Sequence, residues 1–278
     1  MVRIICSLNG RVDERAVGPV LRVMRECYER FGSDIPIVDL LVFESQSSME
    51  AFGRSERRRL GISSPFVGER FIATHDAWKG TPRIVTCLEN IRGVPGRVLE
   101  GAIRHEVAHS VLHGSLLYYF IPTPEAYRRA REELDLPVKV VSALSYATSI
   151  AVKDFEATRA LCELGYVEDQ VAYNSYLLRP DDEDATAWRM ASQRATTAAL
   201  CLALLLKPLF SAAPLIARGL MAEGLTRGFI RYLPGRLQDA LMAACAETAH
   251  MGRDTFENIE AAARAFRDEV LGRLWAGA

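Results

Sequence analysis

The hydrophobic and polar positions of this 278-residue chain follow one pattern before residue 114 and another after it. In the first part, short apolar runs alternate with segments of helical period. This predicts strands at 4–8 and 38–43, joined by a helix at 14–31. Asp13 is suited to cap that helix at its start and Gly32 to end it. The first part therefore mixes strands and helices.

Three more elements are expected before residue 90. They are a helix capped by Ser47 or Ser48 that runs through Arg59 and closes at Gly61 and Pro65, a strand at 70–74, and a strand at 83–88. The turn residues 79–82 separate the last two strands. A further helix is predicted from about Pro95, because proline is favoured in the first turn of a helix.

After Gly114 the pattern is helical almost throughout. The predicted helices are one opened by Pro124 that runs to Glu133, one at 142–164, one from Ala185 after the acidic loop 180–184, and those on either side of Pro234-Gly235 that run to Trp275. We therefore predict an α+β protein. Residues 1–120 would form a small mixed sheet with helices, and residues 121–278 a mainly α-helical region packed on the first part.

The longest apolar tract begins at Ala195 and reaches Arg218, interrupted by Lys207 and by prolines. A tract broken by a charge and prolines is more typical of a buried core helix than of a membrane span. The short apolar run at the N-terminus is expected to form a strand and not a signal peptide.

Charge and cysteine content narrow the classes of function. The chain has 34 basic and 35 acidic residues, so its charge balance gives no sign of nucleic-acid binding. Its six cysteines are scattered without a C-x-x-C pair, which argues against a thiolate zinc site. Cysteines within apolar patterns indicate reduced, buried thiols, so we expect a cytoplasmic protein.

Candidate chemistry is concentrated at residues 105–113, which hold three of the five histidines. His105 and His109 are four residues apart and share one helix face, where two imidazoles can hold one metal ion. Glu106 lies beside them. Apolar residues surround this segment, so its helix is expected to be buried nearly all round. Burying imidazoles and a carboxylate is costly without a strong partner, and a metal provides one.

The segment 102–111, Ala-Ile-Arg-His-Glu-Val-Ala-His-Ser-Val, resembles the extended H-E-x-x-H signature of the zincin metallopeptidases. The resemblance implies Zn²⁺ held by His105 and His109, with Glu106 as the catalytic base. The order of strands and helices before the motif is also similar to the upper half of a zincin, in which an edge strand beside the metal binds an extended peptide. Strand 83–88 is predicted to be that edge, or equally an ordinary core strand.

A third metal ligand is expected from the helix at 142–164. Asp154 lies within its apolar stripe, where a carboxylate needs compensation, whereas Glu156 falls on a face that we expect to be solvated. Segment 154–160 resembles the helix that completes the metal site in gluzincin-like CAAX-prenyl endopeptidases and ImmA-type peptidases, which implies Asp154 as the ligand. The chain departs from that pattern with Asp in place of Glu and with Thr158 in place of Asp. Glu156 remains an alternative.

His113 is the other alternative, although a straight helix rotates it away from His105. It is more simply explained as a polar residue near a helix end, with Gly114 as the C-cap.

The function expected from these residues is that of a zinc-dependent peptidase acting on peptides or proteins. Glu106 would take a proton from water and return it to the leaving amine. Transition-state donors are expected among His75, Tyr146, Tyr166 and Tyr173. Two other functions are open: a catalytically silent zincin-like binding or regulatory protein, and a metal-dependent hydrolase of a non-peptide amide.

Overall fold

The computed structural model describes residues 2–59 and 71–276. Its four-stranded sheet has the order β1-β2-β4-β3. The strands are β1 (Arg3–Asn9), β2 (Ile37–Phe43), β3 (Ala73–Asp76) and β4 (Arg83–Cys87). The pairs β1·β2 and β2·β4 are parallel, and β3 runs antiparallel to β4. The prediction of a small mixed sheet is confirmed.

Helices alternate with these strands. They are α1 (Glu14–Phe31), α2 (Gln46–Arg59), α3 (Leu88–Ile91) and α4 (Gly96–Leu112), followed by a 3-10 helix at Leu116–Tyr119. The predicted bounds of α1 are confirmed. The side chain of Asp13 accepts a hydrogen bond from the backbone N–H of Arg15, and Gly32 adopts a left-handed φ of 60° at the C-cap.

The start of helix α2 differs from the sequence-based expectation. Helix α2 begins at Gln46, so Ser47 and Ser48 lie inside its first turn; the cap is Ser45, whose Oγ accepts a hydrogen bond from the N–H of Ser48 at 3.3 Å. Gly61 and Pro65, expected to close α2, lie outside the described residues.

The third strand is displaced along the chain, since β3 begins at Ala73, and Arg70 lies outside the described residues.

Strand β4 is an interior strand, so the edge-strand interpretation of 83–88 is wrong and the core-strand alternative is right. All five of its residues are buried, and it pairs with β2 on one side and β3 on the other. Among the described residues, the edge next to β4 is β3. The apolar run of β4 follows from burial of both faces, which is typical of a central strand.

The second part of the chain is helical. Its helices are α5 (Glu125–Glu133), α6 (Val138–Glu163), α7 (Glu168–Leu177), α8 (Asp182–Ala191), α9 (Ala195–Ala217), α10 (Gly224–Phe229), α11 (Gly235–Ala246), α12 (Thr255–Ala265) and α13 (Gly272–Trp275), with a 3-10 helix at Glu247–His250 and a π-helical segment at Phe266–Leu271. With the sheet of the first part, these helices confirm the α+β class. The likeness to a zincin stays a prediction.

Helix α8 starts three residues earlier than expected. Asp181 caps it by accepting a hydrogen bond from the N–H of Glu183, so the acidic residues 182–184 form its first turn. Carboxylates are stabilised there by the positive end of the helix dipole.

The length and composition of helix α9 would allow it to cross a membrane. However, 61% of its most apolar 18-residue stretch is buried inside the protein. It packs along α6, as a core helix does.

Contacts divide the chain into two compact units. The first contains Met1–Tyr119 and Glu168–Tyr173, and the second contains Phe120–Val167 and Asn174–Ala278. Glu168–Tyr173 lies in α7, which is not among the helices predicted above, and the hydrophobic pattern does not indicate that this segment belongs to the first unit.

Candidate metal centre

Helix α4 presents the two motif histidines to each other. It begins after Pro95 and carries His105 and His109 one turn apart. Their Nε2 atoms are 3.1 Å apart, and the ring planes meet at 83°. In a tetrahedral site with Zn–N bonds of 2.0–2.1 Å, two ligand nitrogens stand roughly 3.3 Å apart. The spacing of the two Nε2 atoms therefore suits a shared ion.

The motif residues are removed from solvent. His105 is 1% exposed, Glu106 is 7% exposed and His109 is 9% exposed. Burial of α4 nearly all round, expected from its apolar flanks, is confirmed by the residues around the motif. Those residues are Val98, Gly101, Ala102, Ile103, Val107, Ala108 and Ser110. Ser110 is itself satisfied, because it lies 2.6 Å from the hydroxyl of Tyr28 on α1 and donates to the carbonyl of Val107 at 2.7 Å.

Asp154 completes a group that could bind a metal ion. One ligand atom each from His105, His109 and Asp154 lie within 4.8 Å of one another. Asp154 is 3% exposed on α6. Two imidazole nitrogens and one carboxylate oxygen are a donor set that suits a catalytic metal site with one open position. The residues present therefore fit a divalent ion, whose identity the donor set alone leaves open between zinc and other first-row metals.

Glu156, the alternative ligand, is in a different environment from the one expected. The prediction of a solvated face is wrong, because Glu156 is only 5% exposed. Its two carboxylate oxygens accept hydrogen bonds from the hydroxyl of Thr255 at 2.8 Å and from the side-chain amide of Asn258 at 2.6 Å. Both donors lie on α12, which covers this face of α6. The carboxylate of Glu156 is thus stabilised by two hydrogen bonds from α12.

His113, the other alternative, contacts His109 on the side away from His105. Its Nδ1 is 3.1 Å from the Nδ1 of His109, and its ring meets that of Tyr118 edge to face, with centroids 5.1 Å apart. A neutral imidazole carries one N–H. If Nε2 of His109 binds an ion, its Nδ1 holds the proton and donates to His113. This arrangement makes His113 a supporting residue for His109.

His113 also ends α4, and this corrects the role given to Gly114. The C-cap is His113, whose N–H donates to the carbonyl of His109 at 2.7 Å, and Gly114 follows it. A Cβ added at Gly114 would lie 2.0 Å from the carbonyl oxygen of Ser110. Glycine is required there because the chain passes close to the helix, and not because of a left-handed cap.

Two of the four suggested transition-state donors have rings beside the histidine pair. The ring of His75 on β3 stacks on that of His109 with centroids 6.1 Å apart, and the ring of Tyr173 lies 5.3 Å from that of His105. Tyr146 is 65% exposed. The edge strand β3 and helix α7 thus bring side chains to α4 that no spacing rule could select.

A close approach of α7 to α4 positions Tyr173. A Cβ added at Gly101 would lie 2.4 Å from the carbonyl oxygen of Asp169 and 2.8 Å from Cβ of Tyr173. Arg104 donates to the carboxylate of Asp169 at 2.5 Å, and both side chains are largely buried. Sequence reasoning missed this pair. The sequence feature that could have indicated the pair is Arg104, the one charged residue among the apolar flanks of the motif.

Lys153 precedes Asp154 on α6 and is partly buried. Burial lowers the pKa of its ammonium group to about 8, and the carboxylates of Glu156 and Asp154 oppose that shift.

The cysteines give no competing site. All six are free; Cys6 is exposed, Cys201 is partly exposed, and the other four are buried. Burial raises the pKa of the Cys245 thiol to about 12, so this group is neutral near pH 7. Burial of these four thiols confirms the expectation that several cysteines are buried.

In comparisons with known proteins, no family model, no curated protein and no solved structure matches the chain.

Proposed function

We propose that this protein is a zinc-dependent peptidase that hydrolyses peptide bonds in peptides or proteins. The observation that carries the proposal is the buried group of His105, His109 and Asp154, with Glu106 next to the first histidine in the chain. A metal that only stabilises a fold has no use for an acid at that position. The proposal rests on the chemistry of this donor set and on the resemblance of the motif to the zincins.

In this proposal His105 and His109 hold the ion through Nε2, and Asp154 holds it through a carboxylate oxygen. Zn²⁺ bound there supplies a Lewis acid and lowers the pKa of a bound water towards about 7. The carboxylate of Glu106 accepts the proton of the attacking water and later delivers it to the nitrogen of the leaving amine. General acid–base groups of this kind contribute roughly 10²–10⁴-fold to rate.

His75 and Tyr173 are the residues that we propose for stabilising charge on the substrate. The ring of each lies beside one of the two histidines, with centroids 6.1 Å and 5.3 Å away respectively. An imidazole or phenol donor aimed at a developing oxyanion is worth roughly 10²–10³-fold in turnover. The adjacent edge strand β3 has one side unpaired among the described residues, where an extended peptide can add as a further strand.

One observation favours a second function, that of a silent metal-binding or regulatory protein. The four side chains of the proposed site are 1–9% exposed, which leaves a substrate little access to them. Hydrolysis of a non-peptide amide is a third candidate that the same chemistry permits.

The test is turnover of a mixed fluorogenic peptide library by the full chain loaded with zinc, compared with the Glu106→Gln variant. We expect chelator-sensitive cleavage in the wild type, and at least a 100-fold loss in Glu106→Gln with unchanged zinc content. Zinc binding without cleavage would assign the silent function. Cleavage of non-peptide amides offered in a separate assay, without cleavage of the peptide library, would assign the third. Equal cleavage by the variant would remove Glu106 from the role of base.

A further inference from the structure

The second unit contains a cavity of about 410 Å³ that the proposed function does not use. It lies among helices α6, α9 and α11 and the 3-10 helix at 247–250. None of the histidines, Glu106 or Asp154 lines it. Its volume falls within the range of about 300–1,000 Å³ that is usual for small-molecule sites.

The walls of the cavity are mainly apolar. They include Phe155 on α6, Leu209 and Ile216 on α9, and Met242 on α11, with Met251 beyond. Methionine side chains adapt to the shape of an apolar guest, and aliphatic walls bury its surface from water. The cavity is thus suited to a hydrocarbon group.

The threonine hydroxyls of the wall donate to backbone carbonyls three residues earlier in the chain. Thr226 donates its hydroxyl hydrogen to the carbonyl of Glu223 at 2.6 Å, and Thr248 donates to the carbonyl of Cys245 at 2.7 Å. Cys245 also lines the cavity and carries a neutral thiol. These groups neither demand a polar ligand nor place a negative charge in the wall.

Arg159 is the exception. Its guanidinium carbon lies 4.9 Å from the centre of the Phe155 ring, and it donates to two backbone carbonyls, those of Met251 at 2.9 Å and Gly252 at 2.7 Å. Within the described part of the chain, no carboxylate forms an ion pair with it. A guanidinium has five N–H donors, and its partners here are uncharged. The guanidinium of Arg159 therefore has N–H donors and a positive charge with which it can bind a ligand in the cavity.

The other charged side chains at the cavity, Arg218 and Glu223, are exposed and paired. Arg218 lies 3.8 Å from Glu163, and Glu223 lies 3.7 Å from Arg227. Each pair carries no net charge, so the positive charge of Arg159 sets the charge at the cavity. An anionic ligand is favoured over a cationic or neutral one, because a guanidinium binds carboxylate through two parallel hydrogen bonds.

We propose that this cavity binds a small aliphatic carboxylate, with its hydrocarbon chain among the apolar walls and its carboxylate on the guanidinium of Arg159. The site would give the helical unit a ligand of its own, of the class of medium-chain fatty acids. The proposal is independent of the peptidase proposal, because the two sets of residues do not overlap.

The experiment is calorimetric titration of the full chain with decanoate and, separately, with 1-decanol, which has the same chain length and no charge. We expect decanoate to bind at one site, at least tenfold more tightly than 1-decanol. In Arg159→Gln the two affinities should become equal within twofold, since the cation that distinguishes the ligands is gone.

Arg159 also ties down two carbonyls, so a second pair of variants separates binding from folding. Ala213→Phe places a ring in the cavity and should weaken decanoate binding at least tenfold. Ala187→Phe makes the same change at an exposed position of α8 and should leave the affinity unchanged. No saturable binding, equal affinity for decanoate and 1-decanol in the wild type, or equal weakening by both phenylalanine variants would overturn the proposal.

Discussion

Helix α6 carries two buried carboxylates that lie beside different side chains. Asp154 lies with the imidazoles of His105 and His109, in a group that could bind a metal. Glu156, two residues later, is held by the hydroxyl of Thr255 and the amide of Asn258. A buried carboxylate has to be compensated, and the protein does so here in two ways. The carboxylate of Glu156 already accepts a hydrogen bond on each oxygen, whereas that of Asp154 would be stabilised by a cation bound between it and the two imidazoles.

The largest difference between these carboxylates is expected in metal affinity. Asp154→Asn removes a charged ligand and should lower zinc affinity more than 100-fold, beyond the 10–100-fold typical of residues that only support ligands. Glu156→Gln should change the affinity less than threefold. Competition with a chromophoric chelator measures both. Equal losses in the two variants would mean that the carboxylates do not have the separate roles assigned here.

Metal addition should then stabilise the folded chain. An ion that binds only the native state at 100 times its Kd adds about 2.7 kcal/mol to the free energy of unfolding. We expect this gain, measured by urea unfolding with and without zinc, in the wild type and in Glu156→Gln. It should be absent at the same zinc concentration in Asp154→Asn. A full gain in Asp154→Asn would place the ion elsewhere.

The next effect concerns His113, whose Nδ1 lies 3.1 Å from the Nδ1 of His109. His113→Ala should lower zinc affinity roughly 10–100-fold, because the Nδ1 proton of His109 loses its acceptor and the ring loses its fixed orientation. His250→Ala is the matched control, because His250 is exposed on the 3-10 helix at 247–250. An unchanged affinity in His113→Ala would show that the contact between the two rings has no part in metal binding.

The smallest expected effect is on stability without metal. Glu156→Gln keeps the shape of the side chain but replaces two charge-assisted hydrogen bonds by neutral ones, so we expect a loss of about 1 kcal/mol in the free energy of unfolding. Chemical denaturation of Glu156→Gln and of the wild type in excess chelator measures this loss. An unchanged free energy of unfolding would mean that the two hydrogen bonds from α12 do not stabilise the fold.

The same pair of residues shows how far sequence reasoning reaches. Periodicity placed Asp154 in the apolar stripe of its helix, and the structure brings that residue to the two histidines. The same reasoning placed Glu156 on a solvated face, because the residues that share its helix face are charged. That inference failed because α12, about a hundred residues later, covers the face. A helical wheel shows which residues share a face, but not which element packs on it.

Capping residues predicted both ends of α1 and the start of α4 correctly, because the conformation there depends on residues close in the chain. The bounds of α1 followed from Asp13 and Gly32, and that of α4 from Pro95, because caps act on the adjacent turn alone. Strand β4 showed the opposite case. Its apolar run indicated a strand, but whether that strand lies inside the sheet or at its edge depends on the pairing of β2 and β3 with it.

By itself, then, the sequence determined the α+β class, most helix and strand positions, and the pair of histidines one helical turn apart with an acid beside the first. These depend on spacing along one element. Only the tertiary structure decided that Asp154 joins that pair while Glu156 is held by α12, and that His75 and Tyr173 lie beside the motif. Those outcomes depend on which distant segments pack together, because hydrophobic burial drives that packing without regard to distance along the chain.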